Sequence, residues 1–215
     1  MITLKYYKKD KAIYLSHIDV LRHMNRTFRR AGIDVAFSQG FNPHMVTKLG
    51  IPLPLAINSA AEYVTVQTDM CPDDFLTKYN AVCVAGMEGI KAFKVEKNPN
   101  LAAKVVYAEY VIKAKVSGKE EQINGILNNE SFVVDYPTRK EPERKRDIIP
   151  DVHSINCSGD TITVCINAVN MRADVLAISI ARAFDIEVDI NNIWRTKQFV
   201  NENGVLIDVD AYLSK

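Results

Sequence analysis

Arg22, Arg26, Arg29 and Arg30 sit on a stretch where about 100° of rotation per residue gathers all four into an arc of about 100°. A guanidinium fork matches phosphate and carboxylate oxygens, and its weak hydration lowers the cost of docking it. Surface helices usually mix signs, because like charges one turn apart repel slightly. A one-signed face therefore points to an anionic ligand, the alternative being a solvated helix face, since Arg is also a good helix former. Shortly after it comes Ser38-Gln39-Gly40-Phe41-Asn42-Pro43-His44. Gly40 permits a turn and Pro43 stiffens the exit, while Ser38, Gln39, Asn42 and His44 offer donors and acceptors able to read a base edge or a polar small molecule. Phe41 is suited either to stacking on a base or to anchoring the loop in a core.

His17, Asp19 and His44 are the candidates for chemistry beyond binding. His17 belongs to the first helical turn on the apolar side, so it reads either as a packed histidine or as a working imidazole. Ser16 reads as a helix cap and not as a nucleophile, since no paired base and orienting acid accompany it. Asp19, His17 and His44 make a poor metal set, so no metal is expected. The four cysteines (Cys71, Cys83, Cys157 and Cys165) contain no C-x-x-C pair and read as small apolar residues. No phosphate-loop or dinucleotide glycine pattern occurs, and no cofactor is expected.

The elements that must position these residues follow from pattern. Ile2–Tyr7 reads as a strand and 8–11 as a polar turn. Ser16 and Asp19 form a capping-box-like start, Val20, Leu21, Met24, Phe28 and Ala31 make the apolar face, and Gly32 ends the helix. Short extended pieces follow at 33–37 and 45–49, then a strand at 62–68, a helix at 72–82 and a strand at 89–96. The order β-α-β-β-α-β then repeats: a strand at 105–116, a helix at 119–127, extended segments within 145–157, a strand at 161–167, a helix at 173–184 and a strand at 193–200. This predicts an α+β protein of two tandem ferredoxin-like (βαββαβ) domains with antiparallel sheets, at 1–97 and 104–215, joined by 97–103 around Pro99. The charged run 136–146, with Pro137 and Pro142, reads as a solvated mobile loop or as an arm touching phosphate.

At 215 residues, 47% hydrophobic and 25% charged, the chain is ordinary for a soluble protein. No apolar run approaches the roughly 20 residues that span a bilayer, and the first residues lack a signal-peptide pattern, so a cytoplasmic location without membrane contact is expected. Net charge is only +1, but residues 1–50 hold nine Lys or Arg against three acids, so basic character is concentrated at one end.

Leu15-Ser16-His17-Ile18-Asp19, Arg29-Arg30-Ala31-Gly32, the 38–44 loop and Pro52-Leu53-Pro54 together resemble the bacterial radical-SAM-linked family DUF2344. The resemblance is specific over residues 1 to about 68 and looser beyond, where Arg146-Asp147-Ile148 and Trp194-Arg195-Thr196 look like its weaker motifs; Met45 departs from the proline expected there. It implies a radical S-adenosylmethionine enzyme as partner and an RNA setting, with no assigned activity. The chain itself has no C-x-x-x-C-x-x-C cluster motif. The expectation is therefore an accessory protein, itself non-catalytic, that binds RNA or presents a substrate to that enzyme. The alternatives are an RNA-processing or RNA-modifying enzyme using His17 or His44, and a protein-interaction module.

Overall fold

Strand β1 (Ile2–Lys8) sets the frame, with Ile2, Leu4 and Tyr6 buried on one face. In the computed structural model, which describes residues 1–116, 118–137 and 139–215, the first elements are β1, helix α1 (His17–Arg30), β2 (Thr47–Leu49), β3 (Asn58–Val66), α2 (Pro72–Asn80) and β4 (Gly89–Lys94). β1 runs antiparallel to both β3 and β4, and β2 pairs antiparallel with the other side of β3. The spatial order is β4-β1-β3-β2. Alternation places Val64 and Val66 beside Ile2, Leu4 and Tyr6, and the apolar faces of α1 and α2 close over them.

The second set comprises α3 (Leu101–Lys104), β5 (Val105–Lys115), α4 (Glu120–Asn124), β6 (Val133–Asp135), β7 (Lys145–Asp147), β8 (Val152–Ser158), β9 (Thr161–Asn167), α5 (Ala173–Phe184), β10 (Glu187–Glu202), β11 (Val205–Asp208) and α6 (Val209–Leu213). Here the order is β10-β5-β9-β8, with β5–β9 and β8–β9 antiparallel. Ile112, Val164, Ile166, Leu176, Ile180 and Ile193 are all buried to 1% exposure or less. The protein is thus a mixed α/β fold built on mostly antiparallel sheet. Among the described residues, no helix is long and apolar enough to cross a membrane.

The chain packs as two units, Met1–Val105 with Phe199–Lys215, and Val106–Gln198. Sequence pattern left the last 17 residues in the second domain; packing returns them to the first. β11 pairs with Phe199–Glu202, Val209 and Leu213 are buried, and the Asp210 carboxylate accepts from Lys5 Nζ and Tyr63 OH, each at 2.6 Å.

Several elements differ from expectation. The 33–37 piece, expected to be extended, carries a single bridge, Phe37 to Met45, and belongs to no longer strand. The closing strand begins at Glu187, where exposed polar residues show little alternation. The charged run is pinned at its ends: β7 pairs with β6, the Tyr136 amide donates to the Arg144 carbonyl (2.8 Å), and Tyr136 is buried. Thr138 within that run lies outside the described residues.

Candidate functional site

Helix α1 starts where the chain chemistry says it should. Ser16 Oγ accepts from the Asp19 amide (3.2 Å) and donates to Asp19 Oδ2 (2.7 Å), and Gly32 takes φ +61° after the last turn. Val20, Met24, Thr27 and Phe28 are buried, with the Phe28 ring 5.7 Å from Phe75 and 5.9 Å from Tyr79. That packing turns the opposite face outward, and all four arginines are exposed.

They are not equivalent. Arg22 reaches Asp19 at 3.3 Å, a solvent-exposed pair worth about 0–1 kcal/mol. Arg30 Nη2 donates to the Val82 carbonyl (3.2 Å) and to Thr27 Oγ1 (3.4 Å), which steadies it against the turn after α2. Arg26 and Arg29 have no ion pair or hydrogen-bond partner among the described residues and are the two freest cations of the face. Their charge is felt nearby: burial first, then Arg30 and Arg26, lower the pKa of His23, whose ring lies 3.2 Å from Thr27 Oγ1.

The loop is a closed hairpin. Ser38 N donates to His44 O (2.8 Å), His44 N donates to Ser38 Oγ (3.1 Å), and Ser38 Oγ lies 2.9 Å from His44 Nδ1. Val46 N to Ala36 O (2.8 Å) and Ala36 N to Gln67 O (2.8 Å) continue the ladder into the sheet, and Met45 is buried beneath it. Gly40 at φ +123° supplies a turn that side-chain-bearing residues rarely make. The tip carries Gln39, Asn42 and Phe41, and Phe41 is fully exposed at 110% of its reference area. The anchor reading of Phe41 is therefore set aside, since its ring touches no core. Thr47 Oγ1 donates to Asn25 Oδ1 (2.9 Å), tying the loop's exit strand to α1.

His17 is exposed, as is Asp19, and lines a separate cavity of about 290 Å³ with Lys48, Thr47, Thr65, Asn98 and Asn100. Desolvation, with a smaller contribution from Lys8, lowers its pKa, while Glu62 opposes them. No hydrogen bond or ion pair joins His17, Asp19 and His44 among the described residues. Asp19 is spent on the cap and Arg22; His44 Nδ1 is spent on closing the loop. Among the described residues, no group of three or more His, Cys, Asp or Glu is placed to hold a metal. The cysteines are free thiols, with Cys157 and Cys165 buried in strands.

Thr65, Asn98 and Asn100 were not singled out by sequence pattern, and Lys48 counted only toward the basic balance of residues 1–50. The 98–100 segment reads as a linker, and the signal present is Asn100, which adopts φ +52° before α3. The two weaker motifs hold structure together. The Arg146 guanidinium lies over the Tyr136 ring, pairs with Asp151 and donates to the Asn170 carbonyl at 2.6 Å. Buried Arg195 donates to Tyr110 OH (3.1 Å), and Thr196 donates to Glu109 Oε1 (2.7 Å).

A mixed α/β protein with a one-signed helix face beside a hairpin loop is the class these features define. The chain belongs to DUF2344, the family described as an uncharacterized protein conserved in bacteria, which it matches over residues 1–179. No curated protein matches it. Among solved structures, it is similar to a chain of a crystal structure of a Cbf5-Nop10-Gar1 complex, at 12% identity and a TM-score of 0.49, covering 92% of this chain and 48% of that one. The chain thus spans about half the length of that relative.

Proposed function

We propose that this protein binds single-stranded RNA along α1 and the 38–44 loop, as a non-catalytic partner that holds RNA or another substrate for a radical S-adenosylmethionine enzyme in the cytoplasm. The observation that carries the reading is the exposed arc of Arg22, Arg26, Arg29 and Arg30, in which Arg26 and Arg29 lack any acidic partner among the described residues. Guanidinium groups on such a face neutralise backbone phosphates, and an exposed ring at a hairpin tip gives a stacking platform that tolerates any base. The finer fold reading supports it. Both units are read as ferredoxin-like, on strand orders β4-β1-β3-β2 and β10-β5-β9-β8, and an antiparallel sheet of that kind offers a rigid base for a helix and loop. The radical-enzyme partner rests on the family resemblance.

In this reading Phe41 stacks on a base, Gln39 and Asn42 contact base edges, and Ser38 and His44 keep the loop closed. Proton transfer has no assigned role, because the Ser38–His44 pair is used internally and, among the described residues, no acid orients the other ring nitrogen. The test is RNA binding by the double variant R26A/R29A and by F41A. With about 0.7 salt-slope units per phosphate contact on single strands, the double variant reduces the slope of log K against log salt by about 1.4. F41A weakens binding by about 1–3 kcal/mol with the slope unchanged. An unchanged slope in R26A/R29A rules the arginine face out as the binding surface.

A further inference from the structure

We propose that the cavity lined by His17 and Lys48 is a binding site for a phosphomonoester, distinct from the arginine face. Its lining draws on four separate parts of the first unit: α1 with His17 and Leu21, β2 with Lys48, β3 with Thr65, and the 98–101 segment with Asn98, Asn100 and Leu101. No carboxylate lines it. Lys48 stands opposite Thr65 in the β2–β3 register and makes no ion pair among the described residues. Asn98 Oδ1 accepts from the Asn100 amide at 3.0 Å, which leaves its Nδ2 to donate elsewhere. Neither Asn98 Nδ2 nor Asn100 Nδ2 has an acceptor among the described residues. A pocket with one free ammonium, an imidazole and two uncommitted amide donors, and no competing acid on its wall, has the chemistry of an anion site.

The donor geometry selects phosphate over carboxylate. A planar carboxylate is best matched by the parallel N–H groups of an arginine fork, and no arginine lines the cavity. A lysine ammonium acts as a point charge, and single N–H donors arriving from different elements suit the oxygens of a tetrahedral group. The thiol-free wall and the apolar contribution of Leu21 and Leu101 leave room for a small carbon skeleton beside the phosphate. At about 290 Å³ the cavity sits at the low end of the roughly 300–1,000 Å³ usual for small-molecule sites, which suits one sugar or nucleoside unit. Glu62 of β3 and Lys8 of β1 act on His17 in opposite senses, and Lys48 of β2 adds a further positive charge at the wall. Desolvation is the largest influence on His17 and lowers its pKa, which favours its role as a hydrogen-bonding imidazole beside the Lys48 ammonium.

The phosphomonoester has two sources, a free metabolite or the 5′ end of an RNA, and the experiment separates them. The full chain in phosphate-free buffer is titrated with inorganic phosphate and with glycerol 3-phosphate, followed by amide NMR. Saturable shifts are expected at residues 47–50 and 98–101. K48A weakens binding at least about tenfold, the loss of one charge-assisted hydrogen bond, and R26A/R29A leaves it within about twofold. A 5′-phosphorylated tetranucleotide that competes where its 5′-hydroxyl counterpart does not identifies an RNA end. Saturation by glycerol 3-phosphate with no competition from either oligonucleotide identifies a free metabolite. Equal competition by both oligonucleotides, no saturable shift up to about 20 mM ligand, or unchanged affinity in K48A overturns the site. Lys48 is exposed, so K48A does not disturb folding. Loss of the RNA reading leaves this result untouched, because it is read at other residues and with other ligands.

Discussion

Replacing Asp210 by alanine tests whether the last 17 residues are structurally part of the first unit. The Asp210 carboxylate accepts from Tyr63 OH and Lys5 Nζ, both at 2.6 Å, across 147 and 205 residues of chain. Tyr63 is 2% exposed, so removing its acceptor leaves a hydroxyl buried without that partner, at about 1–3 kcal/mol. Burial and then Asp210 itself raise the pKa of Tyr63 far above its usual value, so the ring stays a neutral donor at any working pH. The Lys5 side chain is 14% exposed and that of Asp210 33%, so the ion pair is partly screened and contributes about 1 kcal/mol more. D210A therefore costs about 2–4 kcal/mol, or a Tm lowered by roughly 4–16 °C for a chain of this size. Urea melts of the wild type, D210A, Y63F and D210A/Y63F measure it as a double-mutant cycle, with a coupling of about 1–2 kcal/mol. Additive single effects, or a D210A cost under about 0.5 kcal/mol, refute the reasoning and make the tail a passive extension.

Two further predictions follow from the helix that carries the candidate site. F28A removes a fully buried ring packed on Phe75 and Tyr79 and costs about 3–5 kcal/mol by chemical denaturation; a loss below about 1 kcal/mol would mean that α1 is not held by this contact. His17 and His23 both have pKa values lowered from 6.5, chiefly by partial desolvation. The unfolded chain then takes up these protons first, so stability is complete above about pH 7 and falls as pH drops through 6.5 toward the folded values. H17Q and H23Q each flatten the stability profile between about pH 7 and pH 5, and an unaltered slope in both contradicts the assigned direction.

Local chemistry made α1 and its loop readable. Ser16, Asp19, the 3.6-residue apolar period and Gly32 act within one or two turns, so the helix, its cap and its arginine face follow from residues near each other in the chain. The loop was readable as a polar turn, but not its closure by Ser38 and His44, nor that Phe41 faces solvent. Exposure is a property of what lies around a ring, and a phenylalanine at a loop tip carries the same sequence signal whether it anchors or projects.

Everything assembled across long separations belonged to the tertiary structure. The cavity at His17 needs α1, β2, β3 and the 98–102 segment in place at once, and no period or spacing links residue 17 to residue 98. The return of Phe199–Lys215 to the first unit rests on strand pairing, on buried Val209 and Leu213, and on the Asp210 carboxylate meeting partners far up the chain. The start of β10 at Glu187 is of the same kind: its mostly exposed residues lack the alternation that marks a strand, so local pattern gives no signal there. The sequence by itself determined a capped basic helix, a polar loop and an alternating order of strands and helices. Only the tertiary structure decided which cations remain unpaired, which segments share a cavity and where the chain's end is anchored, because those depend on partners that the local sequence does not name.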